Sequence, residues 1–289
     1  MFTIGFIGFG EAAYQMSEGL RGEGFAKIIA YDKYWNIEPN SELISERAEK
    51  TQVELVPNMQ ALIENSDMII SAVSADMALE LAESASPFLK HDQIYVDINA
   101  TSPMTMEEVD AIISPVAVFV DCAAMGPFPI YQHKTPLLVS GKGAALFTEK
   151  MAPFGMDITL MDKPAGSASA TKMFRSIFMK GFIAQSLETL FAARKYQVED
   201  VVLMSLKESF TVKPFLEMVN VLLTRGVIHS ERREHEMEEV IDTLKNLNLD
   251  STMSQATRTK MKWVTDLGLR DHFKGVPPKD LHEIFTALE

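Results

Sequence analysis

Eight short apolar runs, near 2–7, 27–31, 53–56, 68–73, 94–98, 116–121, 136–140 and 157–161, punctuate the first half of the chain, and after Pro164 they stop. Stretches such as "DMIISAV" and "IYVDI" are apolar almost without interruption, as strands covered on both faces of a parallel sheet are. Helical patterns separate them at 11–21, 41–50, 59–65, 76–85 and 104–113. Ser102-Pro103 ahead of the last of these has the form of an N-cap followed by proline at the first helical position. Such alternation predicts a doubly wound α/β Rossmann domain with a mostly parallel sheet. Beyond Pro164 only helical patterns follow, at 166–195, 198–210, 213–246, 251–266 and 278–288. The expected division is a dinucleotide-binding domain over 1–163 and an all-helical substrate and dimerisation domain over 164–289. The helix at 166–195 would span roughly 45 Å, long enough for a central rod or a subunit interface.

Between the first strand and the first helix stands "GFIGFGEAA", which places Gly8, Phe9, Gly10, Glu11, Ala12 and Ala13 in the pattern G-x-G-x-x-A. Gly8 permits a tight turn, Gly10 admits a pyrophosphate to the backbone, and Ala13 lets helix and strand pack closely. The helix N-terminus offers free N–H groups and the positive end of its dipole to the phosphates. The second strand ends at Asp32, twenty-four residues after Gly8. A carboxylate there bonds both ribose hydroxyls and repels a 2′-phosphate, favouring NAD over NADP; Lys33 beside it tempers that preference. Val73 and Ser74, after the fourth strand, are candidates for contact with the cofactor. Asn99 and Thr101, after the fifth, are expected near the nicotinamide, because ligands sit at the carboxyl ends of parallel strands.

The run "PAGSASATKMFRSIFMKG" raises a different question. Five of the seven residues from 166 to 172 are glycine, alanine or serine, and then a lysine arrives. Lys172, Ser176 and Met179 share one helix face. Small residues ahead of them let another surface or a ligand approach. A partly desolvated amine beside a nicotinamide can pass a proton to or from a substrate oxygen as hydride moves. Lys172 is therefore the candidate general acid/base, and Ser176 its companion.

"GFIGFGEAA", "VDINATSP" and "GSASATKMFRS" resemble the nucleotide turn, the loop after the fifth strand and the lysine motif of the β-hydroxyacid dehydrogenases, a 6-phosphogluconate dehydrogenase-like family. In that family's G-x-G-x-x-x-K-x-x-x-N motif, Gly166, Ala168, Lys172 and Ser176 occupy the named positions. The resemblance covers nearly the whole chain. It implies NAD(P)-dependent oxidation of a hydroxy acid, or the reverse, with Lys172 as general acid/base, and homodimers or tetramers packed through the helical domain. Two departures mark a divergent subgroup. Met125 in "DCAAMGP" replaces the serine of a D-A-P-V-S-G-G substrate loop, and Ser176 replaces the asparagine.

Further substrate contacts are sought at Thr101, Met125 and Gly126, and in "GPFPIYQHK", where Pro127 and Pro129 stiffen a loop. In "RGVIHSERREHEMEEV", Arg225, His229 and Arg232 fall at i, i+4, i+7, with Arg232–Glu236 and His235–Glu239 as neighbouring pairs. His229 and Arg232 there would hold a substrate anion.

Composition excludes several classes. The net charge of −13 opposes a nucleic-acid partner. The single cysteine, Cys122, fits a reducing compartment. The six histidines lack ligand spacing, so no metal is expected. No basic n-region precedes the first apolar run and no apolar stretch approaches membrane length, so neither a signal peptide nor a membrane span is expected, and a cytoplasmic location is expected. Two other readings stand beside the dehydrogenase: imine reduction, and a non-catalytic dinucleotide sensor.

Overall fold

The computed structural model describes residues 2–289. The chain folds into two compact units, Met1–Ser176 and Ile177–Glu289.

In the first unit the strands are β1 (Thr3–Ile7), β2 (Lys27–Tyr31), β3 (Glu54–Leu55), β4 (Met68–Ser71), β5 (Ile94–Asp97), β6 (Val118–Ala124), β7 (Leu137–Ser140) and β8 (Ile158–Leu160). They form one sheet in the order β3-β2-β1-β4-β5-β6-β7-β8. All neighbours are parallel except β6 and β7. The helices are α1 (Glu11–Gly22), α2 (Asn40–Thr51), α3 (Met59–Glu64), α4 (Ala78–Ala85), α5 (Pro103–Ile113), α6 (Phe128–Tyr131) and α7 (Ala144–Met151). This is the doubly wound architecture that the strand and helix alternation predicts.

β1, β4 and β5 are buried at every residue, and their successive side chains enter opposite cores. Ile4, Phe6, Ile70 and Val96 meet Ala13, Met16 and Leu20 of α1 on one face. Ile69, Tyr95 and Phe119 meet Leu62, Ala82, Met106 and Val109 of α3, α4 and α5 on the other. Each fully buried large side chain contributes roughly 1.5–3 kcal/mol, so two covered faces outweigh the modest intrinsic preferences of these short segments. As expected, the Ser102 hydroxyl caps α5, accepting from the Thr105 N–H at 3.0 Å ahead of Pro103.

The chain continues as α8 (Ser167–Lys195), α9 (Glu199–Thr211), α10 (Phe215–Ile228), α11 (Ser230–Asn246), α12 (Thr252–Asp266), α13 (Leu269–His272) and α14 (Leu281–Thr286). The single helix expected over 213–246 is two. His229, at φ −111° and ψ 21°, leaves the helical region and separates α10 from α11. The i, i+4, i+7 face expected for Arg225, His229 and Arg232 is broken there, and His235 pairs with Glu238 at 3.5 Å instead of with Glu239. Within this second unit α11 packs along α12. Glu188 of α8, 8% exposed, caps α12 by accepting from the N–H groups of Met253 and Ser254, each at 2.8 Å.

Much of the helical unit's apolar surface is open. Phe182, Leu187 and Phe191 on α8, Val201 on α9 and Leu216 on α10 are all at least half exposed. Among the described residues no helix is long and apolar enough to cross a membrane.

Candidate functional site

The first elements to converge are the carboxyl ends of β1, β2 and β4. They border a cavity of about 530 Å³ lined by Gly8, Gly10, Glu11, Ala12, Asp32, Lys33, Val73 and Ser74. Gly8 has φ +86°, and a Cβ on it would lie 2.4 Å from the Ala72 carbonyl oxygen, so only glycine lets this turn rest against β4. Gly10 differs. It is the N-cap of α1 without a side-chain cap, and a Cβ there would meet no atom within 4 Å. The first N–H groups of α1 thus open onto free space, as a dinucleotide pyrophosphate requires. Ala13 is fully buried against the sheet. These features fit a bound nicotinamide dinucleotide.

Asp32 ties the turn to β2. Its two carboxylate oxygens accept from the Phe9 N–H at 2.8 Å and the Tyr34 N–H at 2.9 Å. Phe9 therefore spends its N–H on Asp32 and its ring in the core. Lys33 is exposed, with its ammonium 4.9 Å above the Tyr34 ring. The Tyr34 hydroxyl holds that ammonium's pKa above the ordinary range, with smaller contributions from Glu80 and Asp32.

Asn99 lies deeper than a surface contact, at 4% exposure. Its carbonyl oxygen accepts from the Val73 N–H at 2.7 Å and its amide donates to the Ser71 hydroxyl at 2.8 Å. Its influence on the cavity runs through Val73. Thr101 is half-buried and closes a turn onto the Asn99 carbonyl at 3.0 Å.

Lys172 sits in the second turn of α8, half-buried, within the same compact unit as the cavity. No hydrogen bond or ion pair engages its amine among the described residues. Burial holds the Lys172 pKa below the usual lysine range, and the electrostatic influence of Cys122 offsets this in part. The Cys122 thiol is itself pushed far up by burial. Ser176, one turn further on, is half-buried and the last residue of the unit.

What fixes the head of α8 is a residue absent from the candidates that the motifs supply. Asp121 of β6 is fully buried, and five donors converge on its carboxylate. They are the Ser140 hydroxyl at 2.9 Å, the N–H groups of Gly166, Ala168 and Ser169 at 2.9, 3.1 and 3.3 Å, and the Ser169 hydroxyl at 2.7 Å. Gly166, at φ +89°, has no side chain to cap the helix, and a Cβ there would crowd the Pro103 carbonyl at 3.0 Å. The small residues at 165–169 let this head seat against the sheet and α5, with Ala165 and Ala168 at 6% and 0% exposure. A signal for Asp121 does exist: an acid near the end of the apolar run "VAVFVD" must be paired if that run is a buried strand.

Met125 and Gly126, beyond β6, are half-buried, and the Met125 N–H donates to the Pro136 carbonyl at 2.8 Å. The rest of that loop turns onto α1. Gln132 donates to Glu18 at 2.9 Å, Lys134 pairs with Glu23 at 2.8 Å, and the His133 ring is packed on Gly19. In the helical unit, His229 and Arg232 border a depression of about 390 Å³ with His235 and Arg270. Both arginines are already paired, Arg232 with Glu236 at 2.9 Å and Arg270 with Glu231 at 3.2 Å. No metal-binding group of histidine, cysteine or acidic residues occurs among the described residues.

Comparisons with known proteins agree with this geometry. Residues 3–101 match the family described as NADP oxidoreductase, coenzyme F420-dependent, and residues 193–264 match a domain of unknown function, DUF1932. An uncharacterized 28.5 kDa protein in the 7S RNA 5′ region of Methanothermus fervidus is 30% identical, over 91% of this chain and 99% of its own. The conserved protein MTH1747, whose structure is described as similar to 3-hydroxyacid dehydrogenases, is 31% identical with a TM-score of 0.63, over 93% of this chain and 99% of that one. A reductive aminase from Aspergillus terreus, in complex with NADPH and ethyl-5-oxohexanoate, shares the fold at TM-score 0.69 and 14% identity, over 93% and 95% of the two chains.

Proposed function

Because the chain belongs to a divergent 3-hydroxyacid dehydrogenase-like family, we propose that it is a nicotinamide-dependent oxidoreductase acting on a small hydroxy or oxo acid. The observation that carries this reading is the state of Lys172: an amine without a partner, half-buried, held on the same sheet whose strand ends border the dinucleotide cavity. Bound in that cavity, the nicotinamide would supply or accept the hydride.

The protein's own groups do the rest. The α1 N–H groups and the Gly10 backbone hold the pyrophosphate. Asp32 holds the adenosine ribose and favours NAD over a 2′-phosphorylated cofactor, while Lys33 moderates that preference. Lys172 gives a proton to the substrate oxygen in reduction and removes it in oxidation; its lowered pKa makes both forms accessible nearer neutral pH. Ser176, one helical turn away, is suited to bonding the amine or the substrate. Met125, in place of a polar side chain, suits a less polar substrate.

That last feature also supports the second reading, reduction of a carbon–nitrogen double bond, which the shared fold of the reductive aminase accommodates. The open apolar faces of α8, α9 and α10 favour a homodimer formed through the helical unit. A panel of oxo acids, hydroxy acids and cyclic imines, followed by nicotinamide absorbance with NADH and NADPH, tests the assignment. Turnover of the acids is expected. Turnover of imines alone would move the protein to the second reading, and NADH binding without any turnover would leave a sensor.

A further inference from the structure

Four polar residues stand in register across four adjacent strands. Ser71 of β4 is paired with Asp97 of β5, Asp97 with Asp121 of β6, and Asp121 with Ser140 of β7. All four are fully buried. Two residues before Ser71, Asp97 and Asp121 are Ile69, Tyr95 and Phe119, so the row shares their core face. A polar line through an apolar sheet is costly unless its atoms are paired.

Most of them are. Ser140 donates to Asp121 at 2.9 Å, Asn99 donates from its amide to Ser71 at 2.8 Å, and the Asn99 N–H donates to one oxygen of Asp97 at 2.8 Å. The other oxygen of Asp97, Oδ2, is buried with no partner among the described residues. Two carboxylates on neighbouring strands, both out of water, cannot easily carry charge together. Asp121 has five donors to satisfy its charge; Asp97 has fewer, from Asn99 and Ser71. Burial, supported by the Asp121 charge, pushes the Asp97 carboxyl up to about 7, against the opposing bonds of Asn99 and Ser71. The other titratable neighbours are Tyr95 on β5 and Cys122 on β6. α8 brings Lys172 towards Cys122, and the face of α5 packed here is apolar.

The two ends of the row lead to the two halves of the proposed chemistry. At one end Asn99 holds the Val73 N–H on the rim of the dinucleotide cavity. At the other Asp121 holds the head of the helix that carries Lys172. We propose that Asp97 is a positioning residue: held between Asn99 and Asp121, it keeps the Val73 loop and the Lys172 helix in one alignment. The proposal rests on the cofactor reading above. Loss of its proton puts a second buried anion beside Asp121 on the neighbouring strand, and the repulsion between the two carboxylates disturbs that alignment.

The linkage has a definite sign. An unfolded aspartate titrates near 3.9, whereas Asp97 in the fold titrates near 7. The stabilising proton is fully in place below about pH 4, and its benefit is lost as pH rises through about 7. Asp97→Asn keeps the size and the acceptor for the Asn99 N–H but cannot ionise. Thermal unfolding and NADH titration from pH 5 to pH 8.5, on wild type and on this variant, form the test. The wild type is expected to bind NADH about tenfold more weakly at pH 8 than at pH 6, and its Tm to fall towards pH 7 relative to the variant. The variant is expected to bind NADH about equally, within roughly twofold, at both pH values. A variant that repeats the wild-type pH dependence overturns the proposal. Should Asp97→Asn not fold, the wild type still decides: NADH affinity that is flat from pH 6 to pH 8 overturns it. NADH that binds at no pH removes the cofactor reading and this one together, whereas binding without pH dependence removes this one alone.

Discussion

The Ser169 hydroxyl donates to the buried carboxylate of Asp121 at 2.7 Å, which joins the first turn of α8 to β6 three residues ahead of Lys172. α8 begins after a glycine, so Asp121 acts as an N-cap supplied from another element. Asp121→Ala strands three backbone donors and two hydroxyls in the interior, each costing about 1–3 kcal/mol where water cannot replace the carboxylate. Urea unfolding should show a loss of about 3 kcal/mol or more. Asp121→Asn, which keeps one acceptor oxygen, should lose less than half as much.

Gly8 and Gly10 have opposite reasons for being glycine. Gly8→Ala meets the Ala72 carbonyl and a left-handed φ, and should destabilise the fold by about 2 kcal/mol or more. Gly10→Ala meets open space at φ −74° and should leave Tm nearly unchanged while weakening NADH binding by about tenfold. Comparing Tm with NADH affinity for the two variants separates a turn residue from a cofactor residue. Intact NADH binding in Gly10→Ala would count against the pyrophosphate assignment.

Asp32 has a structural duty at Phe9 and a proposed one at the ribose. Asp32→Asn keeps an acceptor for Phe9 and removes the charge. NAD affinity should drop by about tenfold, equivalent to roughly 1.4 kcal/mol, with NADP affinity unchanged or improved. Isothermal titration with both cofactors measures it; equal losses would confine Asp32 to the turn.

The parts legible in the sequence are those with a local signature. Strands buried on both faces announce themselves as unbroken apolar runs, and the glycine turn, Asp32 and the Ser102 cap follow from their immediate neighbours. Less legible is anything set by non-local packing. Its place after a strand makes Asn99 a candidate cofactor contact, yet its amide is engaged by Val73 and Ser71 from a different strand end. The small residues before Lys172 suggest room for a surface or a ligand, and the surface is the sheet around Asp121 of the interior strand β6. The break at His229 has no local marker, because "RGVIHSERRE" holds no proline and its one glycine precedes the break.

The helical unit leaves Phe182, Phe191 and Leu216 at 50%, 62% and 81% exposure. Exposed large apolar side chains in this number point to association through the helical unit. Light scattering should therefore give about twice the chain mass of 32.2 kDa. Phe182→Asp should shift the particle towards that mass or lower its solubility.

The central claim concerns the Lys172 amine. Lys172→Ala should bind NADH within about twofold of wild type, since the proposed role of the amine is at the substrate oxygen, yet lower kcat by about 10²–10⁴-fold. Lys172→Arg, which stays protonated, should fail similarly in oxidation. Single-turnover rates at saturating NADH, on the best substrate from the acid and imine panel, give the most direct measurement. A loss of that size with cofactor binding intact is the predicted result, and an unchanged rate in Lys172→Ala would contradict the account.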